Sequence, residues 1–463
     1  MTIAKPLPAA VFKAYDIRGT VPDALNAEFA HRLGRALAEL AHDAGVSTLV
    51  IGYDGRLSSP ELSAALHQGI NEGGIHTLDL GMVPTPLVYF AAFTRKTGSG
   101  VAITGSHNPP NYNGFKMMMA GKTLHGDDIQ ALAQSMANPR SLDGIKPGQR
   151  QILDIKPDYL NEVASTITLS RPMHIAIDCG NGVGGAIAAQ LFRALGCTVD
   201  ELFCDVDGTF PNHHPDPADP HNMQDLIRHV TSTSCELGLA FDGDADRLGV
   251  VTKTGHIIWP DRQLILYAQD ILERDPGATI IFDVKCSRHV ARAVKLAGGK
   301  PLMARTGHSL IKAKLAETGA PLAGEMSGHI FFKERWYGFD DGLYTGVRLL
   351  EILSRYDDPS SVLDNLPQDV STPEIKLEMQ EGQPHAFIAK LQEHGQFPSA
   401  THISTIDGVR AEYNDGFGLA RASNTTPVIV LRFEGDTAES IERIKEEFRA
   451  AFRALDDTLP LPF

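Results

Sequence analysis

The sequence predicts an α/β protein of four consecutive units, three built on mainly parallel or mixed sheets covered by helices and a last one that is smaller and less regular. Two observations predict the class. Short apolar runs that end in or lead into Gly or Asp recur at residues 47–52 (STLVIG), 173–178 (MHIAID), 237–241 (LGLAF) and 278–283, and each reads as a strand. Between them, Phe29, Leu33, Leu37 and Leu40, and then Leu62, Leu66 and Ile70, recur at helical spacing, which makes βαβ units. A third observation divides the chain. Residues 138–150 (NPRSLDGIKPGQR) are rich in Gly, Pro and charge, residues 250–255 turn the chain after a second strand–helix block, and the pattern changes again around 366–373 (LPQDVSTP). The units expected are therefore 1–150, 151–253, 254–367 and 368–463. The strand-end glycine loops GYDGR, DCGNG and FDGDADR share a placement, which suggests a shared architecture.

At 463 residues, with 43% apolar and 21% charged residues, the chain can fill full cores, so neither disorder nor a fibrous repeat fits. A net charge of −15, from 42 Lys plus Arg against 57 Asp plus Glu, argues against a surface that coats nucleic acid or anionic membrane. It leaves room for a local basic pocket. No stretch reaches the roughly 18 apolar residues of a membrane helix, and prolines interrupt the first residues, so a cytoplasmic chain is expected. Cys179, Cys197, Cys204, Cys235 and Cys286 contain no C-x-x-C pair and read as reduced structural thiols.

Four segments carry chemistry. In VAITGSHNPPNYNGFK (101–116), an apolar run ends at Thr104 and Gly105, and the prolines after Asn108 keep the loop from becoming helix. Ser106 is expected to be presented on that loop, not buried. In DGDADR, directly after LGLAF, Asp242, Asp244 and Asp246 repel one another at a spacing that only a cation makes favourable, and hard oxygen ligands suit Mg²⁺. A calcium loop would need Gly and Glu where this chain has Arg247 and Lys253. In GEMSGH, glycines bracket Glu325 and Ser327, a carboxylate and a hydroxyl of the kind that hold sugar hydroxyls. In RASNTTP, Arg421 with Ser423, Asn424, Thr425 and Thr426 makes an anion cradle, without the lysine of a nucleotide P-loop.

In this order and spacing, TGSHNPPNYNGFK, DGDADR, GEMSGH and RASNTTP, together with AYDIRG and GHSLIK, resemble the α-D-phosphohexomutase superfamily over essentially the whole chain. The likeness is closest to its bacterial bifunctional phosphomannomutase/phosphoglucomutase group. The resemblance implies a four-domain, heart-shaped architecture around one cleft, with three related α/β domains and a smaller C-terminal α+β domain. It implies a phosphorylated Ser106 and Mg²⁺ held by that residue with Asp242, Asp244 and Asp246. Tyr15, Arg18, Lys116, Arg247, Arg262, Lys285 and His308 match family positions near the phosphoserine or substrate. Glu325, Ser327 and His329 match the sugar loop, and Arg421, Ser423, Asn424 and Thr425 the phosphate loop. Lys116 and His329 are the candidates for proton transfer. The expected reaction moves phosphate between the 1- and 6-positions of glucose and mannose phosphates through a hexose 1,6-bisphosphate that also serves as activator. The expected partners are phosphosugars, with no nucleic acid or membrane, and the expected state is a monomer.

Two alternatives stand beside this reading. CDVDGT (204–209) imitates the nucleophile motif of haloacid-dehalogenase-type phosphatases and would make Asp205 the nucleophile, although the proline-rich FPNHHPDPADP follows where a helix is needed. A non-catalytic sugar-phosphate-binding protein would explain two of the loops but not the serine–metal pair. His213 and His214 beside Asp216 are read as interdomain loop residues in preference to metal ligands, and His107 as a brace of the serine loop.

Overall fold

The computed structural model describes residues 7–424 and 426–463, and these form four sheets in chain order. The first holds β1 (Ile17–Thr20), β2 (Thr48–Tyr53), β3 (His76–Met82), β4 (Gly100–Ile103), β5 (Tyr112–Met119), β6 (Lys122–Thr123) and β7 (Arg150–Ile152), in the order β1-β5-β4-β2-β3-β7 with β6 beside β5. The second holds β8 (His174–Asp178), β9 (Thr198–Leu202), β10 (Leu237–Phe241), β11 (Leu248–Thr252) and β12 (Ile257–Ile258), in the order β12-β11-β10-β8-β9. The third is β13 (Thr279–Asp283), β14 (Lys300–Ala304), β15 (Leu322–Gly324) and β16 (Ile330–Phe332), in the order β14-β13-β15-β16.

One motif repeats through these three sheets. A central strand pairs in parallel with the strands on either side of it, and the second of these turns back antiparallel: β2 with β3, β4 and β5; β8 with β9, β10 and β11; β13 with β14, β15 and β16. Helices cover both faces, so central strands such as β4 and β10 are buried along their whole length and read as continuous apolar runs. The repeat corrects the shared placement expected of the glycine loops. GYDGR and DCGNG both follow a central strand, whereas FDGDADR occupies the antiparallel turn, and its counterparts are the TGSHN and GEMSGH turns.

The fourth sheet is antiparallel throughout: β17 (Val370–Ser371), β18 (Ile375–Glu378), β19 (His402–Ser404), β20 (Val409–Tyr413), β21 (Gly416–Ala422) and β22 (Val428–Gly435). Helices Gln383–His394 and Ala438–Leu455 pack Phe387, Leu391, Phe448 and Phe452 on one face. The reverse face sets Phe417 and Leu419 against Val284 of the third unit.

Two expected boundaries move. β7 adds to the first sheet beside β3, so that unit runs past residue 150, and β12 pairs with β11, so the second runs past 253. Both are edge strands of two or three residues, too short to show a period of their own.

The first three units share one apolar core, in which Phe90, Tyr159, Trp336 and Phe339 stack where they meet. The fourth has its own core and joins the third mainly through polar contacts. Ser287 Oγ donates to Glu434 Oε1 at 2.6 Å, and Arg410 Nη1 donates to the Val284 and Cys286 carbonyls at 2.5 and 2.6 Å. The five cysteines are free thiols, with the Cys179 and Cys204 sulfurs 3.4 Å apart. Among the described residues no helix is long and apolar enough to cross a membrane.

Candidate active site

The turn after β4 is built around a buried arginine. Arg56, in the loop after β2, donates from Nη1 to the Pro109 and Tyr112 carbonyls at 2.5 and 2.9 Å, and from Nη2 to those of Ser106 and Asn108 at 2.8 and 2.6 Å. Asp54 pairs with its Nε at 3.1 Å and accepts the Gly105 N–H at 3.1 Å. Ser106 itself takes a positive φ of 49°, an uncommon backbone state for a residue with a Cβ. Contrary to expectation Ser106 is buried, only 2% exposed. The reason is the turn of the second sheet, which lies over it: a Cβ on Gly243 would stand 2.3 Å from the Ser106 carbonyl oxygen.

That turn brings Asp242, Asp244 and Asp246 to full burial, with one oxygen of each within 4.8 Å of the others. Ser106 Oγ donates to Asp242 Oδ2 at 3.1 Å, and Arg247 Nη2 donates to Ser106 Oγ at 3.2 Å. Lys116, on β5, donates to Asp244 Oδ2 at 2.8 Å and also to Asp246. Burial and the charges of Asp246 and Asp244 push the Asp242 carboxyl well above its usual range. Burial opposes ionisation of Asp244 too, but Lys116 holds it at about 2. Asp244 Oδ1 and Asp246 Oδ1 are buried without a hydrogen-bond partner among the described residues. Hard carboxylate oxygens left unsatisfied in this way fit a divalent cation.

His329, at the end of the third turn, forms a bridge with Arg247 and places Nδ1 3.1 Å from Asp340 Oδ2 and 3.5 Å from Asp246 Oδ1. Lys312 donates to Asp340 Oδ1 at 2.9 Å, and the His308 ring stacks on His329 at 5.4 Å. Burial pulls His308 well below its ordinary range. Arg18 donates to Asn108 Oδ1 at 2.6 Å and pairs with Asp16, which ties it to the serine loop.

The sugar- and phosphate-type residues line the cleft's far side. Glu325 accepts the Gly307 N–H at 2.5 Å, and burial pushes its carboxyl up to about 7. Ser327 is half-buried on the same turn. Gly307, with φ 136°, lies so close to Tyr15 that a Cβ would stand 2.5 Å from its ring. Tyr15 OH donates to the Thr306 carbonyl at 2.8 Å and accepts from Asn424 of the fourth unit. Arg421 pairs through Nε with Asp407 at 3.0 Å and keeps Nη2 buried without a partner among the described residues. Ser423 Oγ accepts from the Thr426 hydroxyl at 3.0 Å, and Lys285 donates to Glu374 at 2.8 Å. Thr425 lies outside the described residues. Arg262 is not brought to these groups, since its guanidinium lies against Asp261 at 3.3 Å and Glu434 at 3.8 Å.

Sequence reasoning passed over Arg56 and Asp340. Each had a signal: Arg56 closes the GYDGR loop, and Asp340 stands in GFDD before the wholly buried helix Gly342–Leu353. The rival segments go elsewhere. Asp205 is exposed, and the chain after it docks Phe210 on Arg56, 5.1 Å from guanidinium carbon to ring centre. His213 Nε2 lies 3.1 Å from Asp178, and His107 Nδ1 lies 3.2 Å from Ser106 Oγ.

Four family models match in order. They are the phosphoglucomutase/phosphomannomutase alpha/beta/alpha domains I, II and III, at residues 9–143, 157–255 and 259–370, and the C-terminal domain, at 374–451. A phosphoglucomutase of Neisseria meningitidis is 56% identical over 445 residues, covering 96% of this chain and 97% of that one. A phosphomannomutase/phosphoglucomutase of Pseudomonas aeruginosa is 53% identical over 461 residues, 99% of each chain. The crystal structure of a phosphoglucomutase/phosphomannomutase family protein from Burkholderia thailandensis, 52% identical, superposes with a TM-score of 0.95 over 99% of this chain and 100% of that one.

Proposed function

The chain belongs to the phosphoglucomutase/phosphomannomutase family, and we propose that Ser106 is the covalent carrier with which it moves phosphate between the 1- and 6-positions of glucose and mannose phosphates. One observation carries the assignment. Ser106 Oγ lies between Asp242 Oδ2 and Arg247 Nη2, at 3.1 and 3.2 Å, beside two buried carboxylate oxygens that have no hydrogen-bond partner among the described residues. Asp242, Asp244 and Asp246 would hold Mg²⁺ together with a phosphate oxygen on Ser106, and the bound ion would neutralise charge on the transferring phosphoryl group.

The chain's own groups supply the rest. A sugar hydroxyl oxygen bonds to phosphorus as the bond from phosphorus to Ser106 Oγ breaks. The hydroxyl proton passes to His329 or Lys116, and Arg247 stabilises the charge left on the serine oxygen. The 1,6-bisphosphate then turns end for end, and its other phosphate returns to Ser106. Glu325 and Ser327 hold the 3- and 4-hydroxyls, which roughly exchange places on turning, so C2, where glucose and mannose differ, need not be read. Arg421, Ser423, Asn424 and Thr425 grip the idle phosphate, with Lys285, His308 and Tyr15 around the sugar. The proposed site residues all come from one chain, which supports a monomer, and the net charge of −15 supports a surface that coats neither nucleic acid nor anionic membrane.

The test is Ser106→Ala in excess glucose 1,6-bisphosphate, with ³²P uptake followed by mass and label. The expected result is no label and no turnover, with Asp205→Asn unaffected. Turnover near wild type in Ser106→Ala would overturn the assignment.

A further inference from the structure

We propose that the second unit carries a transition-metal site apart from the cleft, in which His174, Asp200 and Cys235 bind one zinc-class divalent ion and His229 holds the Asp200 carboxylate. These residues come from separate elements. His174 starts β8, Asp200 is two residues beyond its pairing partner Thr198 on β9, His229 lies on the helix Gln224–Ser232, and Cys235 precedes β10. Asp242 follows the other end of β10, so the two sites lie at opposite ends of the same sheet.

One donor atom each of His174, Asp200 and Cys235 lies within 4.8 Å of the others, and His229 joins them through Asp200 alone. His174 Nε2 lies 2.9 Å from Asp200 Oδ1, and His229 Nε2 lies 2.8 Å from Asp200 Oδ2. Cys235 Sγ lies 3.3 Å from Asp200 Oδ2 and 3.6 Å from His174 Nε2. A tetrahedral zinc with bonds of about 2.0–2.3 Å sets its ligand atoms roughly 3.3–3.6 Å apart. The sulfur contacts match that spacing as they stand, and the His174–Asp200 contact needs to open by only about half an ångström. An imidazole, a thiol and a carboxylate, with a fourth position open to water, form a donor set suited to zinc and poorly suited to Mg²⁺.

The outer contacts agree. His174 Nδ1 meets Ser234 Oγ at 3.0 Å, which orients the ring with Nε2 toward the cluster. The side chains of His174, Asp200 and His229 are 27–31% exposed, which gives an ion a route in, while Cys235 is buried against Leu226 and Val230. A bound ion would tie β8, β9 and the turn into β10 together.

Co²⁺ titrated into the full-length enzyme under saturating Mg²⁺ tests this. A thiolate bound to cobalt gives a charge-transfer absorption in the near ultraviolet, and the Asp242 loop contains no sulfur to produce one. The expected result is a band that saturates at one equivalent, survives Cys204→Ala, and is bleached by Zn²⁺. It should be lost in both Cys235→Ala and His174→Ala, the second being a part-exposed residue whose removal leaves the core intact. Ser234→Ala should weaken binding by about tenfold. A missing band, or one that survives either ligand substitution, would overturn the site.

Discussion

Lys116 Nζ, on a strand of the first unit, donates to Asp244 Oδ2 of the second at 2.8 Å, so the three-carboxylate cluster carries a built-in cation before any metal arrives. Lys116→Ala leaves that buried charge uncompensated, and breaking a buried pair in this way costs about 3–5 kcal/mol. In chelator the variant should melt well below the wild type. Added Mg²⁺ should then raise its Tm by more than it raises the wild type's. An equal Mg²⁺ shift in the two proteins would show that lysine and metal do not share the same carboxylates.

Glu325 makes stability depend on pH. Its folded pKa of about 7 lies above the ordinary glutamate value of 4.5. Between those values the folded state keeps a proton that the unfolded chain has lost, so stability falls as pH rises through this window and levels off above it. Glu325→Gln removes that dependence and should stabilise the protein at pH 8 by about 2–3 kcal/mol, while turnover drops for want of the carboxylate. Chemical denaturation at pH 5 and pH 8 measures both slopes. A variant as pH-sensitive as the wild type would locate the titration elsewhere.

Arg421 offers a buried guanidinium nitrogen with no hydrogen-bond partner among the described residues. A charge-assisted bond from it to phosphate is worth about 1.5–3 kcal/mol. Arg421→Ala should therefore raise KM by about 10- to 100-fold and increase the demand for added 1,6-bisphosphate. In a single turnover from ³²P-labelled Ser106, more labelled bisphosphate should appear free in solution. Unchanged KM and leakage would remove the fourth unit's loop from the role of phosphate clamp.

Arg56 shapes the turn that carries Ser106. Its four bonds to loop carbonyls require a planar fork of donors, which lysine lacks. Arg56→Lys should keep the fold yet lower the rate of Ser106 phosphorylation by more than tenfold. A quench-flow assay showing wild-type phosphorylation would mean the turn holds its shape unaided.

The four loops and the α/β class were legible because strand-end turns announce themselves by composition: an apolar run, then glycine and charge. What escaped notice depends on contacts between distant segments. The burial of Ser106 is imposed by Gly243, more than a hundred residues away. Asp340 gains meaning only beside His329 and Lys312. Arg262 matched a motif by position but turns toward Asp261 and Glu434, an arrangement set by the packing of the fourth unit. β7 and β12 were missed because two or three residues at a sheet edge carry no alternation.

The threefold repeat sends the same antiparallel turn from each of three units toward one place, with Ser106 on the first, Asp242, Asp244 and Asp246 on the second and Glu325, Ser327 and His329 on the third. Each loop is anchored on a sheet of its own, so a substitution in the third turn leaves untouched the two sheets that hold Ser106 and the three carboxylates in place.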